Sequence, residues 1–145
     1  MSLASKQQTL IEDLNHIPDA HERLGALSSF IPPVALPAEL KTDDLLVPGC
    51  VSRVWLEGRE QNGRLRFRCA ADSPMVAGLV ALLCHLYDDS DPAEAATVEP
   101  EIWTACGLTK VLSPTRLNGL SAVRQRMRAL ARSANQNIRG EAQAP

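Results

Sequence analysis

The chain has 145 residues, of which 45% are hydrophobic and 22% charged, with a formal net charge of −2. This is the composition of one ordinary globular domain, which excludes wholesale disorder, collagen-like repeats and any need for a disulfide staple. Near-neutral charge and an aromatic content of 3% argue against nucleic-acid binding, an anionic-membrane surface or a base-stacking platform.

At the N-terminus, Met1 to Lys6 lacks the charged region and apolar stretch of a secretory signal, so the expected compartment is the cytosol. Leu10, Ile11, Leu14 and Ile17 recur at helical spacing. After Pro18, a second set repeats the pattern in Ala20, Leu24, Leu27 and Ile31. Pro32 and Pro33 stop that helix, and Pro37 keeps the chain irregular to about Lys41.

From Ser52 the period changes to two. Ser52, Val54 and Leu56 face one way, while Arg53, Trp55 and Glu57 face the other. A cleaner alternation sets Arg64, Arg66 and Arg68 against Leu65, Phe67 and Cys69, with Asn62-Gly63 tolerating positive φ in a tight turn. The pattern predicts a hairpin with one apolar face and one arginine-bearing face.

Ser73-Pro74 opens a helix to about Tyr87, with a side-chain oxygen at the cap and proline at the first helical position. That helix is apolar on nearly every side and belongs at the centre of the core. Its strongly apolar run, Met75 to Tyr87, is 13 residues, about 20 Å of helix against a bilayer core of roughly 30 Å. It is therefore a buried helix, not a membrane span.

Asp91-Pro92 and Glu99-Pro100 mark two short helices, the second closed by Gly107, and Ser113-Pro114 opens the last. In that helix Leu117, Leu120, Val123, Met127 and Leu130 form the buried stripe. One domain is expected over residues 1–139, with 140–145 a disordered tail.

Charge is unevenly distributed. Between Arg68 and Lys110 there are seven acids and no Lys or Arg, whereas Ile102 to Gly140 carries seven basic residues and no acid. This segregation reads either as ordinary solvated helix faces or as a basic surface that receives an acidic partner.

The four cysteines, at 50, 69, 84 and 106, contain no C-x-x-C pair, and no histidine spacing suits a zinc finger. In a reducing cytosol they are expected as free thiols, with no metal. Cys69 continues an apolar strand face and Cys84 lies in the buried helix, while nothing around Cys106 argues for reactivity. Cys50 differs. It follows Val47-Pro48-Gly49 in an irregular segment just ahead of a strand, where glycine leaves its flank open and proline limits the loop's wandering. Such a thiol suits entry into another protein's pocket, although a small buried hydrophobe is the competing reading. His16, His21 and His85 are not within a turn of any cysteine, and Asp88, Asp89 and Asp91 read as a helix terminus and cap.

Three ordered motifs carry a resemblance. Val47-Pro48-Gly49-Cys50-Val51-Ser52-Arg53-Val54-Trp55 forms the first. Asp72-Ser73 followed by Gly78-Leu79, with Tyr87-Asp88 and Pro92 after it, forms the second. Leu108-Thr109, Leu112-Ser113-Pro114-Thr115-Arg116 and Gly119-Leu120 form the third. Together, over about residues 10 to 132, they resemble the SufE-like sulfur acceptors that work with cysteine desulfurases. Val51 departs from the glutamine common at that position.

The resemblance implies an α+β fold, a small antiparallel sheet flanked by helices, similar to iron–sulfur scaffold (IscU/NifU-like) proteins. It implies that Cys50 takes persulfide sulfur from a pyridoxal-phosphate-dependent cysteine desulfurase, stimulates that enzyme, and hands the sulfur to an acceptor such as an iron–sulfur scaffold. Gly49 and Ser52 would shape the loop, and Asp72 and Arg116 would support it or its docking surface. The chain would bind no cofactor of its own, since Lys6, Lys41 and Lys110 lie in no recognisable pyridoxal-phosphate site.

Sulfur exchange needs a thiolate and access more than an acid–base array, so most of the catalytic machinery can reside in the partner. Two other readings stand beside it. One is a redox sensor in which Cys106 resolves an oxidised Cys50; the other is a noncatalytic adaptor docking through Arg124 and Arg128. For a carrier, Cys50 is expected to rest inward beside Val47 and Val51, because solvent thiols strip an exposed persulfide.

Overall fold

A helix with no polar face has to be covered on all sides, and the Pro74 to Tyr87 helix sets the architecture by that demand. The computed structural model describes residues 1–143. The elements run α1 (Leu3–Asn15), α2 (Ala20–Ala26), β1 (Val54–Gln61), β2 (Arg64–Ala71), α3 (Pro74–Tyr87), α4 (Pro92–Thr97), α5 (Ile102–Ala105) and α6 (Pro114–Gln143). The fold is α+β: one two-stranded antiparallel sheet with helices around it. No helix among the described residues is long and apolar enough to cross a membrane.

In α3, Gly78 to Cys84, Leu86 and Tyr87 are buried. The apolar face of β2, the turn at Leu27–Phe30, α1 and α6 all contribute to its coat. Gly78 permits one of these approaches, because a Cβ there would stand 3.3 Å from the Cβ of Leu27. Ser73 occupies the N-cap position but its hydroxyl makes no capping bond. Pro74 has no N–H to satisfy, and the Ser73 carbonyl accepts from Ala77.

The hairpin forms as its pattern predicts. Asn62 (φ 55°) and Gly63 (φ 79°) make the two-residue turn between the paired Gln61 and Arg64, the positive-φ geometry that matches strand twist. Leu65, Phe67 and Cys69 are buried. On the other face Arg64 pairs with Asp89, Arg66 with Asp88 and Arg68 with Glu57. The first strand departs from its expected alternation and begins at Val54 instead of Ser52. Val54, Trp55 and Leu56 are all buried, because Leu46 bridges to Trp55 and the cations of Lys41 and Arg53 lie over its ring at 5.0 and 5.3 Å.

Between Phe30 and Val54 the chain has no regular element beyond short 3-10 turns at Pro32–Val34, Ala38–Leu40 and Asp43–Leu45. Val34, Leu36 and Val47 nevertheless reach the core. Gly107, in a left-handed conformation, follows α5 and turns the chain toward α6.

The last helix buries Leu120, Val123, Met127, Ala131 and Ala134, with Leu117 and Leu130 at the edge of the stripe. It crosses β1 where that strand has no side chain: a Cβ on Gly58 would fall 2.8 Å from both Leu130 Cδ1 and the Phe67 ring. α6 extends to Gln143, overlapping the tail expected from Gly140; of that tail, residues 144–145 lie outside the described residues.

Phe67 sits beneath this crossing and is fully buried. Phe67→Ala is expected to cost about 3–5 kcal/mol, read as a lowered denaturation midpoint with unchanged denaturant slope.

Candidate functional site

Cys50 lies in a loop closed at both ends. The Val47 N–H donates to the Val54 carbonyl at 2.9 Å, and the Asp72 N–H donates to the Arg53 carbonyl at 3.1 Å. Pro48 and Gly49 make the turn between them, with Gly49 at φ 90°, a conformation that a side chain would strain. The turn lays the loop on α6, where a Cβ at Gly49 would stand 3.5 Å from the Ala122 Cβ.

The thiol points inward. Cys50 Sγ donates to the carbonyl oxygen of Gly119 at 3.6 Å, and the residue is half-buried. Gly119 has no Cβ, and one built there would lie 3.8 Å from Sγ. Val51, expected to share the inward setting, instead projects into solvent at 85% exposure, while Val47 is buried.

Beside the sulfur opens a cleft of about 180 Å³. Val76, Leu79 and Val80 of α3 and Leu120 and Val123 of α6 give it apolar walls, and Val54 adds the start of β1. Thr115 and Arg116 line it from the first turn of α6, Ser113 from just ahead of that helix, and Ser52 from the loop. Burial pushes the Cys50 thiol up from its ordinary pKa, because an ion loses hydration there. Among the described residues, Arg116 is the one charged residue lining the cleft.

The sequence-selected residues divide between two places. Cys50, Ser52 and Arg116 meet at the cleft, and Gly49 supports the turn next to them. Asp72 instead stands at the loop's base, where its carboxylate takes a 2.8 Å hydrogen bond from Arg53 Nε. The cleft walls from α3 and the place of Gly119 beside the sulfur do not stand out as site features in the sequence. An isolated glycine inside a helix was the available signal, since it costs helix stability and often marks a close approach.

Several alternatives lose their geometry. Cys69, Cys84 and Cys106 are buried, and Cys106 Sγ is turned to the Ile11 carbonyl at 3.9 Å. No histidine lines the Cys50 cleft; His85 packs on Phe30 with ring centroids 5.0 Å apart. Asp88 accepts from Arg66 and from the Phe67 N–H, and Asp91 caps α4. Arg124, 4% exposed, donates to Glu99 and to the Val98 carbonyl and covers the Tyr87 ring. Arg128 also pairs with Glu99. These arginines engage the molecule's own acidic segment, Arg124 from a buried position and Arg128 from a partly exposed one.

Comparison with known proteins agrees with the motif reading. The family model for SufE, the Fe-S metabolism associated domain, matches residues 8–131. The chain belongs to the SufE family. A SufE-like protein of Rhizobium etli is 32% identical over 138 aligned positions, covering 90% of this chain and 91% of that one. A second, from Synechocystis, is 33% identical over 85 positions, covering 59% of this chain and 54% of its own. The chloroplastic quinolinate synthase of Nicotiana tabacum is 32% identical over 148 aligned positions, but the match covers 96% of this chain and only 20% of that enzyme. In three dimensions, the solution structure of a hypothetical protein from Thermus thermophilus superposes with a TM-score of 0.75 at 22% identity, over 90% of this chain and 96% of that one. That likeness concerns the fold. Membership of the SufE family associates the chain with iron–sulfur metabolism.

Because the neutral thiol is favoured in the cleft, Cys50 is expected to alkylate more slowly than free cysteine at neutral pH. The rate should keep rising above the pH at which free cysteine levels off. Iodoacetamide kinetics across that range, with the modified residue identified by peptide mass, check both expectations.

Proposed function

We propose that this SufE-family protein takes persulfide sulfur from a pyridoxal-phosphate-dependent cysteine desulfurase onto Cys50, stimulates that enzyme, and passes the sulfur on to iron–sulfur cluster assembly. The observation that carries the reading is a single accessible thiol, among the described residues, poised beside an apolar cleft in a protein of iron–sulfur metabolism. A kinship of the fold with iron–sulfur scaffold proteins and a cytoplasmic setting belong to the same proposal.

The chemistry is a balanced exchange. Cys50, as thiolate, attacks the terminal sulfur of the donor's persulfide; a new S–S bond forms on Cys50, the donor's S–S bond breaks, and the donor leaves as thiolate. No external oxidant or reductant takes part. A second exchange, with an acceptor thiolate attacking the sulfur on Cys50, returns the carrier to its starting state.

The resting geometry suits a carrier that stays inactive until docked. The thiol is held protonated and turned inward, so the donor complex has to draw the loop out and favour the anion. After loading, the apolar cleft offers the extra sulfur a place away from solvent thiols. Arg116 at the cleft is assigned to the bound anion or to the docking surface, and Gly49, Ser52 and Asp72 to the shape of the loop. The tobacco enzyme shows that a related segment also occurs within a longer chain, consistent with a unit that works against another protein surface. The redox-sensor reading has less support, because Cys106 is buried and faces α1 rather than the Cys50 cleft.

With a cysteine desulfurase and isotope-labelled cysteine, Cys50 is expected to gain the mass of one labelled sulfur atom and desulfurase turnover is expected to rise. Cys50→Ser should abolish both. Label that never reaches Cys50 would overturn the proposal, whereas a response to peroxide alone would favour the sensor.

A further inference from the structure

The loop that carries Cys50 is tied firmly at its ends and scarcely in its middle. Its base is held by the Val47–Val54 and Asp72–Arg53 backbone bonds and by the Arg53 guanidinium, which Asp72 and the Trp55 ring both engage. Among the described residues, 48–52 make no backbone hydrogen bond to α3, α6 or the sheet. Their one side-chain hydrogen bond is that from Cys50 Sγ to the Gly119 carbonyl. Gly49 faces Ala122 of α6, where an added Cβ would stand 3.5 Å from the Ala122 Cβ.

We infer that the Gly119 carbonyl is a positioning group for Cys50: it latches residues 48–52 onto α6 while the sulfur carries a proton, and loss of that proton releases the segment. The inference goes beyond sulfur transfer and does not depend on it. Only S–H can donate to a carbonyl; a thiolate presents negative charge to the same partially negative oxygen. The cleft offers little in return, because its walls from α3 and β1 are apolar and an ion placed there is deprived of water.

The charged groups around the sulfur are few. α3 and β1 contribute none to the cleft, and Arg53 is turned to Asp72 and Trp55. Among the described residues, Arg116 on α6 is the one cation lining it. Two outcomes therefore compete once the proton leaves: capture of the thiolate by Arg116 within the cleft, or movement of the weakly tied segment into solvent. The geometry favours movement, since the walls facing the sulfur from α3 and β1 are apolar and one Sγ–carbonyl bond is the segment's side-chain hydrogen bond to α6. Release also requires no regular element to unfold. The proton passes to solvent, so the step is an acid–base equilibrium with a conformational consequence.

The test is backbone amide relaxation in the free, full-length protein, following Gly49, Val51 and Ser52 while thiol ionisation is monitored by ultraviolet absorbance. In wild type with a neutral thiol, order parameters near about 0.85 are expected, falling below about 0.6 as Cys50 ionises. Cys50→Ala should show the low values throughout, with no dependence on pH. Rigid amides in wild type after ionisation would overturn the inference and indicate capture by Arg116. Rigid amides in Cys50→Ala would overturn it by showing that the thiol is not the latch. Neither result bears on whether Cys50 accepts sulfur, which the labelling experiment decides separately.

Discussion

The burial of α3 is the constraint from which the rest of the molecule follows. An apolar helix cannot present a face to water, so a strand pair, the N-terminal helices and a long C-terminal helix are gathered around it. The coat opens near the helix start, where Val76, Leu79 and Val80 line a cleft between α6 and the Cys50 loop. The candidate site is thus the gap left by the packing, and its apolar character comes from the core itself. A thiol set there stands beside the apolar side chains of α3 and α6, and its partial burial favours the neutral form.

Electrostatics serve assembly over most of this surface. The acidic stretch before Lys110 and the basic stretch after Ile102, separate in the sequence, fold onto each other through Glu99, Arg124 and Arg128. Gln7 fixes the same acidic segment from α1, donating to the Glu99 carbonyl and accepting from the Glu101 N–H. The hairpin's arginines are likewise taken up by Asp88, Asp89 and Glu57. Arg116 is set apart by its place on the cleft, and it has no part in these ion pairs.

Much of this was legible in the residues because local chemistry and global packing agree. Asn62-Gly63 permits only a narrow range of turns, Pro74 and Pro114 mark helix starts, and the uniform apolarity of α3 leaves it one location. Cys50 stood out for the same reason, since Pro48-Gly49 is turn chemistry beside a reactive side chain. What was not legible depended on approach between distant segments. Trp55 reads as a solvent-facing strand residue until Lys41 and Arg53 are seen to cover it. Arg124 reads as part of a basic face until Tyr87 and Glu99 enclose it. Gly119 shows its role only when a sulfur from far earlier in the chain is found against it. Period and propensity describe single segments, and none of these three facts belongs to one.

Three of the four sulfurs are sealed in the interior: Cys69 behind the hairpin, Cys84 within α3 and Cys106 under α1. Packing thus grants chemical individuality to the fourth. Oxidants, electrophiles and metal ions diffusing past the folded molecule meet a monothiol, because the other three cysteines are buried. Selectivity among identical functional groups is supplied here by hydrocarbon shielding alone.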